Sequence, residues 1–388
     1  MKILILTFYC KPDLCAGSFR SSAFINALRP LLKDNDAVDV ITTMPNRYKT
    51  FRREAVPLEV DGNINIIRMQ LPSHKSGFMD QARAFSTYLV KTLNYTRGRD
   101  YDVVFATSSR LFTAFLGALI ARMKAARLYL DIRDIFTDTM KSLLSPPVSW
   151  IVLPLFLLVE RFTVSKADKV NLVSEGFRGY FEHIAPEKAF SYFTNGIDEE
   201  FVGTSFRKEM PSQKKIITYA GNIGQGQGLE KIIPAIAKMT KNENEFWIIG
   251  DGGMRSALEE SLKKEDVTNV VLHDPVGRKD LMRFYKQSDY LFLHLNDCAA
   301  FKKVLPSKIF EYAATSKPII AGVSGFASKF VKEHVENAAV FTPCDHEDFL
   351  CKFKLLSSEE KKRNEFIKHN TSTFIMQQMA HDFMGVVV

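Results

Sequence analysis

Two successive runs of apolar strand-like segments, each alternating with helical patterns, most constrain the fold of this 388-residue chain. Such alternation is typical of parallel sheets whose strands are joined by right-handed crossover helices. Turn residues cluster at 195–198, before a polar stretch over 204–215, and separate the two runs. We therefore predict an α/β protein with two Rossmann-like, doubly wound domains facing a central cleft, one over residues 1–190 and one over 195–371. A C-terminal helix at about 372–388 is expected to return to the first domain.

The five cysteines lack a CxxC spacing, which argues against a disulfide framework or a structural zinc site. No cluster with metal-ligand spacing is apparent, so we expect neither a metal ion nor a cofactor. The start of the chain reads as a first strand and not as a signal peptide. These features together favour a cytoplasmic protein with reduced thiols.

The net charge of the chain lies entirely in its first half. Residues 1–190 contain 26 Lys and Arg against 18 Asp and Glu, a net charge of +8, and residues 191–388 are neutral. This asymmetry favours an anionic partner for the first half, either nucleic acid or an anionic membrane surface. Scattered basic residues and the absence of a nucleic-acid motif disfavour nucleic acid. A solvated basic surface without a partner stays open.

The longest apolar run covers residues 148–159 and contains Pro154. It is shorter than the roughly 20 residues that cross a bilayer. We expect a buried core helix here, with an interfacial helix as the alternative.

The segment 306–312 begins a helical pattern after a strand and a polar loop. Pro306 suits a helix start, and Ser307 and Lys308 follow it, with Glu311 one turn later on the face of Lys308. A helix N-terminus attracts phosphate, and a carboxylate one turn further in can bind both hydroxyls of a ribose. The pattern therefore indicates a nucleotide site, although an ordinary capped helix explains it equally well.

Loops that follow the predicted strands are the other places for a ligand, since open parallel sheets bind ligands at the carboxyl ends of their strands. The loop 221–229 has four glycines, but not in the GxGxxG or P-loop spacing, which disfavours a nicotinamide dehydrogenase. The binding candidates in these loops are Gly17, Ser18, Arg20, Gly221, Asn222, Gly224, Asp251, Arg255, His273 and Pro275.

Two carboxylates, Asp131 and Asp134, flank Arg133 at the end of a predicted strand. Either could act as a general base or orient an acceptor hydroxyl. A helix cap or an ion pair with Arg133 is the structural alternative for Asp131.

Taken together, these segments resemble the retaining GT-B glycosyltransferases of family 4 over nearly the whole chain. The segments that carry the resemblance are 12–20, 131–134, 194–198, 219–224, 250–252, 306–312 and 317–320. The resemblance implies a nucleotide-sugar donor, usually UDP-linked, with Glu311 on the ribose and Ser307, Lys308 and Gly17 on the diphosphate. The loop at 273–275 would hold the base, and Asp134 would face the acceptor. Lys303 stands where many members have a first glutamate, and Asn222 and Gln227 lie near the positions of the usual basic residues.

Bacterial enzymes that build O-antigen or capsule, including N-acetylfucosamine transferases, are the most similar members. The resemblance implies retaining transfer of an N-acetylated deoxyhexose from a UDP-sugar to an undecaprenyl-diphosphate-linked acceptor, at the inner face of the cytoplasmic membrane. Asp134, Asp131 and Lys308 would be catalytic. A UDP-sugar epimerase and a non-catalytic nucleotide-sugar sensor stay open as alternatives, because fold alone does not fix function.

Overall fold

The computed structural model describes residues 1–13, 15–45, 55–72, 78–108, 111–144, 146–209 and 212–387. One residue of the loop 12–20 and two of the polar stretch 204–215 therefore lie outside the described part. The chain divides into two compact units. The N-terminal unit contains residues 1–195 and 372–388, and the C-terminal unit contains residues 196–371.

Strands and helices alternate through the N-terminal unit. Its elements before residue 195 are β1 (Lys2–Leu6), α1 (Ala16–Leu28), β2 (Ala37–Thr43), β3 (Leu58–Asp61), β4 (Ile64–Met69), α2 (Phe78–Thr96), β5 (Val103–Thr107), α3 (Leu111–Lys124), β6 (Arg127–Ile132), α4 (Phe136–Leu143), α5 (Pro146–Ser165), β7 (Lys169–Leu172), α6 (Arg178–Ile184) and β8 (Phe190–Ser191).

The same alternation recurs in the C-terminal unit. Its elements are β9 (Lys215–Ala220), α7 (Leu229–Met239), β10 (Asn244–Ile249), α8 (Arg255–Lys264), β11 (Val270–His273), α9 (Arg278–Gln287), β12 (Tyr290–His294), α10 (Lys308–Ala314), β13 (Ile319–Gly322), α11 (Gly325–His334), β14 (Ala338–Phe341), α12 (His346–Leu355) and α13 (Asn364–Asn370). The last helix of the chain, α14 (Ser372–Met384), belongs to the N-terminal unit.

Each unit is built on one sheet. The N-terminal sheet has the strand order β3-β4-β2-β1-β5-β6-β7-β8, and its strands pair in parallel except for β3 with β4. The C-terminal sheet has the order β11-β10-β9-β12-β13-β14 and pairs in parallel throughout. The predicted fold class, two doubly wound parallel sheets, is confirmed. The short strands β3 and β8 were not predicted.

The central strands are almost continuously apolar because helices cover both faces of a parallel sheet. In the N-terminal unit, Ile3, Ile5 and Phe105 are buried together with Phe24 of α1. Phe383 of α14 packs edge-on against Phe24, with ring centroids 5.6 Å apart. The last helix thus completes the core of the unit in which the chain begins.

The core of the C-terminal unit lies on both faces of its sheet. One cluster contains Leu291, Phe310 and Tyr312, and the other contains Phe246 and Phe292. The hydroxyl of Tyr312 also accepts a hydrogen bond from the backbone N–H of Ala220 at 3.0 Å. This contact fixes α10 against the carboxyl end of β9, where a ligand-binding loop begins.

Helix α5 contradicts the expectation of a buried core helix for the apolar run 148–159. Phe156 and Val164 are buried, but Trp150, Ile151 and Leu158 are exposed. Among the described residues, one helix, Pro147–Ser165, is long and apolar enough to cross a membrane, with a mean hydropathy of 1.6. The sequence-based interpretation was wrong because the segment is apolar on nearly every side, so its composition does not reveal which side the sheet covers.

Candidate active site

Four loops of the C-terminal unit follow neighbouring parallel strands and therefore meet at one edge of its sheet. They are residues 221–228 after β9, 250–254 after β10, 274–277 after β11 and 295–307 after β12. Open α/β sheets bind ligands at this edge. Most of the residues predicted to bind a nucleotide sugar lie on these loops or at the start of the helices that follow them.

The first two loops pack backbone against backbone through their glycines. The N–H of Gly221 donates to the carbonyl of Ile249 at 2.9 Å, and the N–H of Gly250 donates to the carbonyl of His273 at 3.1 Å. Gly250 has φ of +146°, and a Cβ there would lie 1.8 Å from the carbonyl oxygen of Gly221. Gly221 was predicted to contact a ligand, but its N–H already donates to Ile249 at the end of β10. The close approach of the two turns requires glycine at position 250, where a Cβ would meet the carbonyl of Gly221.

Gln227 organises the remaining predicted residues of the glycine loop. Its Oε1 accepts from the Nδ2 of Asn222 at 3.0 Å and from the N–H of Gly224 at 3.2 Å. Asn222 and Gly224 were predicted to bind the ligand directly. In the structure they are partners of Gln227, so a ligand that needs them must first displace this side chain.

Gly250→Ala is expected to lower the free energy of unfolding of the C-terminal unit by about 2 kcal/mol, because a left-handed backbone and a collision with Gly221 cannot both be relieved. Urea unfolding of the full chain measures this change. Gly253→Ala is the matched control, since a Cβ there meets no atom within 4 Å. Equal midpoints for the two variants would contradict the packed-turn geometry.

Arg255 and His273 lie beside these turns. Arg255 donates to the carbonyl of Gly250 at 2.9 Å and pairs with Asp274 at 2.8 Å and Glu259 at 3.2 Å. Burial lowers the pKa of His273, whose Nε2 is buried without a hydrogen-bond partner among the described residues. The carbonyl of His273 already accepts a hydrogen bond from the N–H of Gly250. The ring nitrogen Nε2 is therefore the atom with which His273 could bind a nucleobase.

Asp251 and Pro275, also predicted to bind the donor, are exposed on their loops. The carboxylate of Asp251 accepts from the N–H of Gly252 at 2.8 Å, which stabilises the turn. The hydroxyl of Ser307 makes no capping bond at the start of α10, and the carbonyl of Pro306 accepts from Ile309 at 3.2 Å.

Glu311 is the centre of a charged cluster at this edge. Its Oε1 accepts from Lys308 Nζ at 2.7 Å and from Tyr285 Oη at 2.5 Å. Its Oε2 faces Arg278 Nη1 at 3.7 Å, a longer contact than those of Oε1. Burial by itself would raise the pKa of Glu311, but Lys308 and Arg278 outweigh it and hold that pKa below its usual range. The cluster therefore presents an ionised carboxylate with Oε1 held by two hydrogen bonds and Oε2 in a longer ion-pair contact.

In the N-terminal unit, Arg20 and Asp131 form a buried bidentate pair. Nε and Nη2 of Arg20 each lie 2.9 Å from an oxygen of Asp131, and both side chains are 3% exposed. Arg20 also donates to the carbonyls of Thr194 at 2.6 Å and Phe193 at 2.8 Å. Asn171 donates to Asp131 at 2.8 Å.

This pair differs from the roles predicted for its members, donor binding for Arg20 and catalysis for Asp131. Burial would raise the pKa of Asp131, but Arg20 overrides it and keeps that pKa low. A carboxylate that has a low pKa and accepts hydrogen bonds at both oxygens suits a fixed ion pair and not a general base. In this structure, therefore, Arg20 and Asp131 hold α1, β6 and the segment before residue 195 in place.

Asp134 has the opposite environment. Its Oδ1 is buried without a hydrogen-bond partner among the described residues, as is Nη1 of the neighbouring Arg133. Burial raises the pKa of Asp134 to about 6, against the opposing charge of Arg133. A carboxyl group that titrates near neutral pH suits general acid–base chemistry, so the position retains the chemistry that the sequence predicted for it.

Asp134 also lines a small cavity with Glu160 of α5. Burial raises the pKa of Glu160 to about 7. Glu160 accepts from the hydroxyls of Thr137 and Tyr180. The cavity has a volume of about 10 Å³, enough for roughly one water molecule.

Gly17 and Ser18 occupy the first turn of α1. A Cβ at Gly17 would meet Tyr9 at 3.7 Å, an ordinary contact, so the position does not require glycine. The Oγ of Ser18 is fully buried and has no hydrogen-bond partner among the described residues. Of the two, Ser18 carries the clearer signal of a missing polar ligand.

The second half of the chain is similar to a known family of proteins. Residues 204–373, nearly all of the C-terminal unit, match the family model described as "Glycosyl transferases group 1". The C-terminal unit is thus similar to this family, whose model matches less than half of the chain. We call it the group 1 unit from here on.

Relatives and solved structures extend the likeness. WcaI of Escherichia coli, named as a colanic acid biosynthesis glycosyl transferase, is 27% identical over 220 residues, 54% of this chain and 54% of that protein. The match thus spans about half the length of this curated relative. WaaG, a glycosyltransferase involved in lipopolysaccharide biosynthesis, has a TM-score of 0.71 at 12% identity over 99% of this chain and 100% of its own. Anabaena HepE in complex with UDP has a TM-score of 0.63 at 16% identity, over 99% of this chain and 100% of its own. These two likenesses show the GT-B fold.

Arg278 and Tyr285 of the group 1 unit contact Glu311 but were not found by sequence analysis. Both lie on α9, seven positions apart and so on one face of the helix. Arg278 also pairs with Asp198 and, at 3.2 Å, with Glu200. Arg278 is the first residue of α9, directly after the loop that follows β11, and this position is the sequence signal that marks it. Nothing near Tyr285 in the sequence marks its contact with a residue 26 positions away.

His294, the last residue of β12, contacts the glycine loop of the group 1 unit. Its ring is fully buried, with Nδ1 2.6 Å from the carbonyl of Gln227 and Nε2 accepting from the N–H of Cys344 at 2.9 Å. This arrangement requires a neutral ring. Burial lowers the pKa of His294 to about 4, with Lys231 acting in the same direction.

We expect the wild-type chain to lose about 2 kcal/mol of unfolding free energy between pH 7 and pH 5 relative to His294→Gln. The folded pKa lies below the unfolded value of 6.5, so the unfolded chain binds more protons. The stabilisation is therefore present above pH 6.5 and is lost as the pH falls towards 4. Urea unfolding at several pH values measures the difference. Replacement of the exposed His334 should leave the pH dependence unchanged, and an equal effect of both substitutions would contradict the buried neutral ring.

Proposed function

We propose that the protein is a glycosyltransferase that moves a sugar from a UDP-sugar to a lipid-linked saccharide acceptor. The observation that carries the proposal is the Glu311 cluster, in which a carboxylate with a lowered pKa lies on the helix after β12, with Oε1 held by two hydrogen bonds and Oε2 in a longer ion-pair contact of 3.7 Å. Two ribose hydroxyls could donate to Oε2. Support for UDP comes from the fold likeness to a structure that holds this nucleotide.

Departure of the nucleotide requires that the charge growing on the diphosphate be stabilised. Lys308 lies within one turn of Glu311, and Arg255 and Lys303 lie on neighbouring segments of the same unit. We propose that these cations supply the positive charge, with Lys308 shifting from Glu311 towards the phosphates when the donor binds. Glu311 then retains Tyr285 as its hydrogen-bond donor, because burial keeps the pKa of Tyr285 well above its ordinary value.

The acceptor is proposed to bind the N-terminal unit. Ser18, Arg133 and Asp134 each have a buried polar atom without a hydrogen-bond partner among the described residues. We propose that polar groups of the acceptor satisfy the atoms of Arg133 and Asp134, which are neighbours in the chain, and that Asp134 takes the proton of the attacking hydroxyl. Retention of configuration, an N-acetylated deoxyhexose such as N-acetylfucosamine as the sugar, and an undecaprenyl diphosphate as the lipid are proposals that rest on the sequence resemblance. The same resemblance and the net charge of +8 on residues 1–190 favour the inner face of the cytoplasmic membrane.

The test incubates the purified chain with a panel of UDP-, GDP- and dTDP-sugars, with and without a lipid-diphosphate-linked GlcNAc. We expect UDP release from one donor only when the lipid is present. Conversion of the donor without the lipid would instead establish an epimerase. Tight binding of a nucleotide sugar without turnover on any acceptor would favour a sensor and contradict the proposal.

A further inference from the structure

Helix α5 exposes a continuous apolar surface that the proposed chemistry does not use. We call it the α5 apolar face. Trp150 is 78% exposed, Ile151 80% and Leu158 66%, values far above those of ordinary core residues. The face consists of Val148, Trp150, Ile151, Pro154, Leu155 and Leu158. Their spacing of three and four residues places them on one side of the helix. Large contiguous apolar surfaces mark sites of interaction.

The opposite side of α5 is held by the N-terminal unit. Phe156, Thr163 and Val164 are buried, and Phe156 packs against Phe136 with ring centroids 5.1 Å apart. Glu160 accepts a hydrogen bond from Thr137 of α4 at 2.9 Å. A helix with one side fixed in this way cannot cross a bilayer while the unit stays folded, although its length and hydropathy would allow it. It can lie in the plane of a membrane surface, with its exposed side towards the lipid.

Basic side chains predominate among the exposed charges of α4 and α5. Among the described side chains of residues 136–166, the exposed charged ones are Lys141, Arg161 and Lys166. The acidic members of this segment are less accessible, since Glu160 is buried and Asp138 is only partly exposed. Long basic side chains can reach lipid phosphates while their stems rest on the apolar surface. An exposed tryptophan suits the boundary between headgroups and acyl chains.

We propose that the α5 apolar face is an in-plane anchor that inserts into the headgroup–acyl boundary of an anionic bilayer. This inference names the surface through which the proposed glycosyltransferase would meet the membrane, and it rests on the proposed function only for its biological role. Its test uses lipid vesicles without any sugar substrate, so failure of the anchor and failure of glycosyl transfer are distinguishable.

Tryptophan fluorescence provides a direct measurement, because the chain has two tryptophans, Trp150 and Trp247. Trp247→Phe leaves Trp150 as the single reporter, at the centre of the proposed surface. We expect a blue shift of its emission with vesicles of equal parts phosphatidylglycerol and phosphatidylethanolamine, and a much smaller shift with pure phosphatidylcholine. Lipids brominated near the headgroup should quench Trp150 more than lipids brominated near the chain end. Stronger quenching by the deep bromines would overturn the in-plane position in favour of a spanning helix.

Vesicle flotation then tests the surface itself. The triple variant Ile151→Glu, Leu155→Glu, Leu158→Glu should bind the anionic vesicles at least tenfold more weakly than wild type. The matched control replaces three exposed apolar residues elsewhere in the same unit, Val56, Leu58 and Val60, by glutamate. It adds the same charge but should bind nearly as well as wild type. If both variants bound the vesicles equally weakly, the added negative charge alone would explain the loss of binding, and the proposal would be overturned. The proposal would also be overturned if wild type bound no vesicles and formed a dimer that the triple variant converts to a monomer.

Discussion

Glu311→Ala is expected to lower kcat/KM for glycosyl transfer by about 100-fold or more, the largest catalytic effect of any substitution in the group 1 unit. Two hydrogen bonds from a ribose to an ionised carboxylate contribute about 3 kcal/mol or more together, and each 1.36 kcal/mol corresponds to a factor of ten. The affinity for UDP, measured by titration calorimetry, should fall with it, because the ribose belongs to the nucleotide.

Two further variants separate binding from folding. Glu311→Gln keeps an oxygen for Tyr285 and Lys308, so its stability should stay near that of wild type while UDP binding is still weakened. Glu260→Ala removes an exposed carboxylate from α8 of the same unit and should have little effect on UDP. Unchanged UDP affinity in Glu311→Gln would contradict the role given to Glu311.

Asp131→Asn should lower the free energy of unfolding of the N-terminal unit by about 3 to 5 kcal/mol. The substitution leaves the guanidinium of Arg20 buried without its charged partner, and an unpaired buried charge costs that much. Urea unfolding, followed by a probe in this unit, measures the loss. The exposed pair of Arg178 and Glu182 offers a control, since Glu182→Gln should cost less than about 1 kcal/mol.

This variant also decides between the two roles of Asp131. A structural ion pair predicts a large loss of stability, of which Arg20→Met combined with Asp131→Leu should restore a part by removing both charges. A catalytic carboxylate predicts that Asp131→Asn retains wild-type stability and loses turnover. That second result would contradict the structural role and return Asp131 to the chemistry predicted from the sequence.

Local patterns in the sequence were sufficient for the fold and for part of the site. The apolar runs predicted the central strands because a strand covered on both faces has no polar side. Lys308 and Glu311, one helical turn apart, were predicted to lie on one face of a helix, and the structure shows them in contact at 2.7 Å. The loops after the strands were found because chain order and parallel pairing together determine where they lie.

Contacts between distant parts of the chain were beyond that reasoning. Arg20 and Asp131 are 111 positions apart, and only the folded N-terminal unit reveals that they satisfy each other. Tyr285 is separated from Glu311 in the same way. The exposure of α5 was predicted wrongly for a different reason. Its apolar residues surround the helix, so no periodic pattern identifies the covered side.

The most direct test of the central claim is mass spectrometry of the lipid acceptor after incubation with the UDP-sugar that the donor panel identifies. The account predicts that the lipid gains the mass of one sugar residue, with one UDP released for each lipid modified, and that Glu311→Ala shows neither change. An unmodified lipid in the presence of a bound or chemically altered donor would contradict it.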